Sequence, residues 1–522
     1  MVASGTVIRP LGGYEQYSSS RHSLGLYESV ITICRYALPT TPTLAEEQIR
    51  ASIQAAVATV VRDKLPALRV GLLGEETKKP VYVAVPSLDL DDHVEWRMVA
   101  PGLSAAAYDA QLMRQLEDGT ARAWPDVGTH PPWRLVVHLN RPEGWADLAF
   151  AFHHATGDGK SGQIFHTHLV ETLNEQQHAA TNATDAANAT AQAQQPGTSV
   201  LTFTDVPALV PPQEELVRFT ISWGYMIREV WSALGPSWFQ STPSPATAAY
   251  TGKRTCLEPK LKGHKRVFHI SAQHAAALLA GCRANGTTLT ALLHGLLLVS
   301  FARRFPAAVA PTFVCDTPIS LRPFAQLPPA STMDINRSMA NLVCDYAYTF
   351  DPAVVADGRA QSTNDDDDRK VWRAAAAFGA SLKARLATIT HNNIMGLLGW
   401  VSDWHQWWLD HGDQPRKATW VVSNVGSLSA TGARVVAGTL PAAESPWRLT
   451  RNFYVQSSTG KDALISLNVA SIQGGEMSFH TAWHDGVIDD HVGDELTADL
   501  QECLVRFGQT GRFDVPSRLS TC

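Results

Sequence analysis

The chain has 522 residues, too many for one small core, and its length alone predicts two to four domains. Hydrophobic residues at 45% exclude a disordered or fibrous chain, and charged residues at 18% fall below the usual share, as expected where much surface is internal. The formal net charge of −6 excludes the basic footprint that a general nucleic-acid binder needs.

Fifteen tryptophans point to apolar pockets or interfaces. Seven cysteines (Cys34, Cys256, Cys282, Cys315, Cys344, Cys503, Cys522) stand singly with no CxxC pair, which fits a reducing compartment and argues against a disulfide scaffold or a zinc site. The start, MVASGTVIRPLGGYEQYSSS, has no apolar core of a signal peptide, and Cys522 is too close to the end for a prenylation box. Leu289 to Phe301 is the longest apolar stretch, and it is too short to span a bilayer. The expectation is a cytoplasmic protein with no transmembrane segment, no metal and no bound cofactor; oligomeric state is left open, a monomer being the simplest case.

In chain order, β-branched Tyr27–Tyr36 predicts a strand, and Leu44 to Asp63 carries apolar residues at helical spacing after Thr and Pro start signals. Leu68–Leu73 and Val81–Val85 read as strands joined by the charged turn GEETKKP, and Ala105–Asp118 as a helix. Trp133–Leu139 and Asp147–Phe152 read as neighbouring strands, followed by a helix over Gly162–Leu173. From Asn174 to Ser199 the composition falls to Ala, Thr, Asn and Gln, too poor in apolar groups to offset ordering entropy, so a mobile insert is predicted there. The lobe boundary is placed beside it, giving lobes over 1–200 and 201–522.

In the second half, Leu216, Phe219, Trp223, Ile227, Val230 and Leu234 form one stripe and predict a single core-facing helix over Glu214–Leu234. Leu289–Phe301 is apolar nearly all round and predicts a buried helix. Strands are predicted at Thr312–Asp316 and Asn341–Phe350, and the NDDDDR run as a solvated loop before a helix starting near Lys370. The tail predicts strands at Ala463–Ser471 and Met477–Ala482 and a closing helix over Val492–Phe507.

The most informative stretch is WADLAFAFHHATGDGKSG, Trp145 to Gly162. Leu148, Phe150 and Phe152 share one strand face, which His154 continues if the strand persists, while His153 points the other way. Asp158 lies in a turn between Gly157 and Gly159, where missing side chains allow close backbone approach. A histidine at a strand end followed by a glycine-bracketed aspartate can hold an imidazole rigidly over a cleft. Ser161 lacks the GxSxG elbow of a serine hydrolase, and His166 and His168 read as packing or surface residues.

HHATGDG, His153 to Gly159, resembles the HHxxxDG signature of the chloramphenicol acetyltransferase-like superfamily, which includes peptide-synthetase condensation domains and plant BAHD acyltransferases. With RPLGGYEQYSSSRHSLGLY at the start, PPWRLVVHL before the motif, and SNVG at Ser423–Gly426, the chain is similar to the fungal alcohol O-acetyltransferase branch and to trichothecene O-acetyltransferases. The resemblance implies an α/β (α+β) fold of two lobes, each a mixed sheet flanked by helices, with a channel between them. It implies an acyl-CoA-dependent O-acetyltransferase, acetyl-CoA and a small-molecule alcohol of fungal secondary metabolism being its substrates. His154 would be the general base. Asp158 would pair with an arginine, either Arg322 in TPISLRPF or Arg69 in LPALRV.

Ser423 and Asn424 are candidates for stabilising an oxyanion. Lys253, Arg254, Lys260, Lys262, Lys265 and Arg266 crowd one segment and are candidates for the phosphates of CoA. The alternatives carried forward are a condensation-type enzyme drawing on a carrier-bound acyl donor, and a non-catalytic binding protein of the same fold.

Overall fold

The computed structural model describes residues 5–40, 43–120, 124–185, 199–234, 249–252, 263–360, 364–412, 414–432, 446–456 and 461–517. The first part of the chain supplies β1 (Val7–Pro10), β2 (Val30–Ala37), β3 (Val70–Leu73), β4 (Val81–Ala84), β5 (Ser87–Asp89), β6 (Val94–Met98), β7 (Trp133–Asn140), β8 (Trp145–Phe152) and β9 (Val200–Thr202). The second supplies β10 (Gly263–Ile270), β11 (Val314–Ser320), β12 (Val343–Thr349), β13 (Ala418–Leu428), β14 (Arg448–Gln456), β15 (Ala463–Ile472) and β16 (Met477–His484).

Two mixed sheets carry the architecture, a five-stranded one in the order β14-β2-β8-β7-β6 and a six-stranded one in the order β10-β16-β15-β13-β11-β12. The smaller sheets are β1-β4-β3 and β5-β9. Although β14 comes late in the chain, it pairs antiparallel with β2 at the edge of the first sheet, Phe453 opposite Ile33. The first sheet is therefore completed by a strand from the second half.

Central strands are buried on both faces because helices cover each side. Along β2, Val30, Cys34 and Tyr36 pack with Ile53 and Val57 of the helix Glu46–Thr59 and with Phe165 and Leu169 of the helix Gly159–Asp185. The alternate residues Ile31 and Ile33 pack with Tyr108, Leu112 and Met113 of the helix Ala105–Thr120. The second core gathers Trp420, Val422, Leu467 and Phe479 from the six-stranded sheet against the helix Leu289–Arg304. That helix is buried at every position but Thr290, as its all-round apolarity predicts, and Thr288 caps it by accepting from the Ala291 amide at 3.3 Å. Among the described residues no single helix is long and apolar enough to cross a membrane.

Three expectations need correction. The stripe over Glu214–Leu234 is not one helix: Gln213–Leu216 and Trp223–Leu234 are separate, because Thr220 exchanges backbone bonds with Thr390 and Asn392. Trp223, Ile227 and Trp231 are 77%, 62% and 53% exposed, so this face does not meet the core. The insert after Asn174 is helical as far as Asp185, and Asn174 itself is buried, its amide bonded to both backbone groups of Trp447; residues 186–198 lie outside the described residues. The acidic run lies inside the helix Asn364–Leu386, where Asp367 is buried against Arg303 at 2.8 Å.

Arg303 and Asp367 are each about 4% exposed, so truncating the aspartate strands a buried guanidinium. Asp367→Ala is expected to destabilise the second core by about 3–5 kcal/mol. Chemical denaturation followed by tryptophan fluorescence checks this, and an unmoved midpoint would contradict it.

Candidate active site

The chain leaves β8 after Phe152, so the two histidines are oriented by a turn instead of by strand alternation. His153 is fully buried and caps the one-turn helix His154–Thr156, its Nδ1 accepting from the Ala155 amide at 2.9 Å. That bond leaves the ring proton on Nε2, which faces Glu75 Oε1 at 2.9 Å. Glu75 also accepts from Ser19 Oγ at 3.1 Å and meets His22 Nδ1 at 3.1 Å. Burial alone would raise the Glu75 pKa, but the hydrogen bonds of His153 and His22 override it and hold the carboxyl well below the usual range. Glu75 is thus an ionised anchor for the first histidine.

His154 is turned elsewhere. Its backbone carbonyl accepts from Asn341 Nδ2 at 2.8 Å, and its ring lies 5.2 Å from that of Tyr27 and 6.2 Å from that of Tyr14. Nδ1 is enclosed and has no hydrogen-bond partner. The edge bearing Nε2 therefore faces the cavity that His154 lines. Burial, reinforced by the nearby Arg21 cation, lowers the His154 pKa to about 4. The imidazole is neutral at pH 7 and can accept a proton.

Asp158 resolves the choice of arginine. Its Oδ1 accepts from Arg322 Nη2 at 3.1 Å and from the amide and hydroxyl of Ser161 at 3.0 Å each, and its Oδ2 accepts from the Leu342 amide at 3.2 Å. Arg322 also donates to the carbonyls of Ser338, Ala340 and Ile335. Arg69 is paired bidentately with Asp205 at 3.0 Å, so the alternative partner for Asp158 is excluded. Gly157 and Gly159 are required by close approach. A Cβ on Gly157 would stand 2.7 Å from that of Ser161, and one on Gly159 would stand 2.8 Å from Val425 of β13. Ser161 serves the turn, and His166 packs inside through Tyr36 and the Thr32 carbonyl.

The cavity runs between the two sheets, with His154, Tyr27 and Arg21 on one side and Val421, Ser423 and Asn424 of β13 on the other. It offers ≈ 140 Å³ of water-sized space within a hollow of ≈ 1020 Å³ open to solvent. Ser423 Oγ accepts from Gln456 Nε2 at 3.2 Å, which leaves its own proton free to donate. Asn424 is committed to structure: its Nδ2 donates to Thr290 at 3.2 Å, and its Oδ1 accepts from Gly426 N at 2.9 Å across an irregularity in β13. One end of the cavity is strongly charged, with Lys417 between Asp316 and Asp345 at 2.9 Å each and Arg21 on Asp462 at 3.0 Å.

The two described residues of the basic segment are not brought to this cavity. Lys265 and Arg266 lie on the edge strand β10, away from the residues lining the hollow, and Arg266 is engaged by Asp494 at 2.7 Å and Glu117 at 3.3 Å. Lys253, Arg254, Lys260 and Lys262 lie outside the described residues. Sequence reasoning missed Glu75, which looked like part of a charged turn, and Asn341, which no local pattern marks. It also passed over Tyr14, Arg21 and Tyr27, although their density between residues 14 and 27 was a usable signal.

Comparison with known proteins identifies the family and the fold. The profile of the alcohol acetyltransferase family matches residues 10–503. The chain is 28% identical over 521 residues to a Fusarium pseudograminearum protein named "Probable alcohol acetyltransferase FCK4", covering 98% of each. It is 24% identical over 487 residues to the Aspergillus fumigatus protein crmB, of the same description, covering 92% of this chain and 95% of the relative. Among solved structures it is similar to the TRI3 trichothecene 15-O-acetyltransferase from Fusarium sporotrichioides (TM-score 0.64, 12% identity, 96% and 94% coverage). It is also similar to the first condensation domain of the calcium-dependent antibiotic synthetase (TM-score 0.56, 13% identity, 97% of both chains). These two likenesses show the shared fold of the chloramphenicol acetyltransferase type. With its sequence matched almost end to end, the chain belongs to the alcohol acetyltransferase family and is an acyltransferase.

Proposed function

We propose that this acyltransferase moves an acetyl group from acetyl-CoA to a hydroxyl of a fungal secondary metabolite, with His154 as general base. The observation that carries the reading is the His154 ring itself, neutral and enclosed at Nδ1, its other edge open to a cavity between the sheets. Nε2 takes the proton of the acceptor hydroxyl as that oxygen attacks the thioester carbonyl. The tetrahedral intermediate then collapses, the C–S bond breaks, and the imidazolium returns the proton to the departing sulfur. No acyl-enzyme is needed. A positioned base supplies about 10²–10⁴-fold, and aligning the two substrates supplies much of the remainder. Ser423 is the better oxyanion donor of the two candidates, since its hydroxyl proton is uncommitted while Asn424 is braced.

Asp158 has a positioning role, closing the turn that presents His154 onto the second half of the chain. The lobe division near residue 200 belongs to this proposal, with β14 crossing to the first lobe. A carrier-bound donor, as in condensation enzymes, has only the shared fold in its favour, whereas the two relatives described above are named as alcohol acetyltransferases.

Incubation with acetyl-CoA, a panel of hydroxylated terpenoids and polyketides, and a thiol reagent tests the activity. Thiol release that depends on the added alcohol is expected, and His154→Ala is expected to reduce it by about 10²–10⁴-fold. Release that continues at full rate in this variant would refute the base. Because the free imidazole stays neutral until its pKa of about 4, the acid limb of kcat/KM is expected near pH 4 instead of near the unperturbed value. For Asp158→Asn, the loss of charge beside buried Arg322 is expected to cost about 3–5 kcal/mol of stability along with rate. Normal thermal stability with turnover alone lost would contradict the positioning role.

A further inference from the structure

The cavity contains two lysines in opposite circumstances. Lys417 sits between two carboxylates, and although burial opposes its charge, Asp316 and Asp345 raise its pKa well above the ordinary value. Lys160 is half-buried; its Nζ hydrogen-bonds only a neutral acceptor, Gln163 Oε1 at 3.0 Å, and burial lowers its pKa against the attraction of Asp158. The nearest carboxylate in sequence, Asp158, has both oxygens engaged by Arg322, Ser161 and Leu342. Lys160 also stands in the first turn of the helix Gly159–Asp185, where the helix dipole disfavours a cation. An ammonium partly withdrawn from water, with no carboxylate hydrogen-bonded to it, is stabilised when a further anion arrives to meet it.

Its place along the cavity indicates which anion. Lys160 Nζ lies beside Gly426, 3.4 Å from where a Cβ would stand, and Gln163 donates to the Gly426 carbonyl at 3.4 Å. Lys417, just before the start of β13, holds its ammonium against Asp316 and Asp345, whereas Gly426 lies toward the far end of that strand. The Lys417 end holds three carboxylates, Asp316, Asp345 and Asp462, against two cations, Lys417 and Arg21. A polyanion is repelled there and drawn to the Lys160 end. His154 lines the same cavity as Lys160, so a thioester at His154 can extend its pantetheine arm toward Lys160.

We propose that Lys160 is the contact for a phosphate of the acyl donor, and that the donor enters at the Gly426 end while the acceptor occupies the acidic end. The inference rests on the acyl-CoA reading above and adds the direction of entry and the residue that reads the charge.

The test compares the full-length protein with Lys160→Met and Lys160→Arg, using acetyl-CoA, acetyl-dephospho-CoA and S-acetylpantetheine as donors. In Lys160→Met the KM for acetyl-CoA is expected to rise about 10- to 100-fold, the range for losing a hydrogen bond between charged groups, and Lys160→Arg is expected to restore most of it. The effect is expected to vanish with S-acetylpantetheine, which has no phosphate. If it has already vanished with acetyl-dephospho-CoA, Lys160 holds the ribose phosphate; if it persists there, Lys160 holds the diphosphate; both results support the assignment. An unchanged KM for acetyl-CoA, or an equal rise with S-acetylpantetheine, would overturn it. If the unaltered protein turned over none of the three donors, the acyl-CoA reading itself would fall, and the assignment with it.

Discussion

The buried pairing of Asp158 with Arg322 is the constraint on which the rest of the site depends. A carboxylate with so little exposure persists only if each oxygen is satisfied, and here the partners come from both halves of the chain: Ser161 from one, Arg322 and Leu342 from the other. Satisfying Asp158 therefore docks the turn after β8 onto the segment before β12. The same segment supplies Asn341, which fixes the carbonyl of His154. One electrostatic requirement thus sets both the closure of the turn and the backbone that carries the imidazole. Gly157 and Gly159 belong to this arrangement because a side chain on Gly157 would collide with Ser161 inside the turn, and one on Gly159 would collide with Val425 and Tyr454 of the other half.

The two adjacent histidines show how environment divides identical side chains into different tasks. His153 is bonded at both nitrogens, by the Ala155 amide and by Glu75, and is locked. His154 has one nitrogen enclosed and one edge on a cavity lined by tyrosines, with Arg21 nearby to disfavour its protonation. Glu75 and its histidine partners meet the geometric description of a metal site, but the carboxylate is already satisfied by Ser19, His153 and His22, so the cluster explains itself as a hydrogen-bonded brace.

How much of this was legible depended on the range of the interaction. The period-two pattern of β8 and the glycine-bracketed Asp158 are local, and the structure has the strand and turn they predict. The buried helix Leu289–Arg304 was legible for the same reason, its composition leaving no polar face. The stripe from Leu216 to Leu234 failed because periodicity is blind to a competing backbone partner: Thr220 pairs with the Thr390–Asn392 segment and interrupts the helix. Asp367 was read as solvated because nothing near it in sequence announces Arg303. Glu75 and Lys160 were passed over on the same ground, since their meaning comes from what stands across the fold. The crowded basic segment attracted attention by charge density alone, yet its two described candidates, Lys265 and Arg266, lie on an edge strand away from the cavity.

The central claim is that one imidazole is held neutral with its free nitrogen toward the substrates, and nuclear magnetic resonance of ¹⁵N-histidine-labelled protein reads this directly. The resonances of His154, assigned by comparison with His154→Ala, are expected to show a neutral ring protonated at Nδ1, titrating near pH 4 in the unliganded protein. A ring protonated at Nε2, or one that titrates near the ordinary histidine value of about 6.5, would contradict the account.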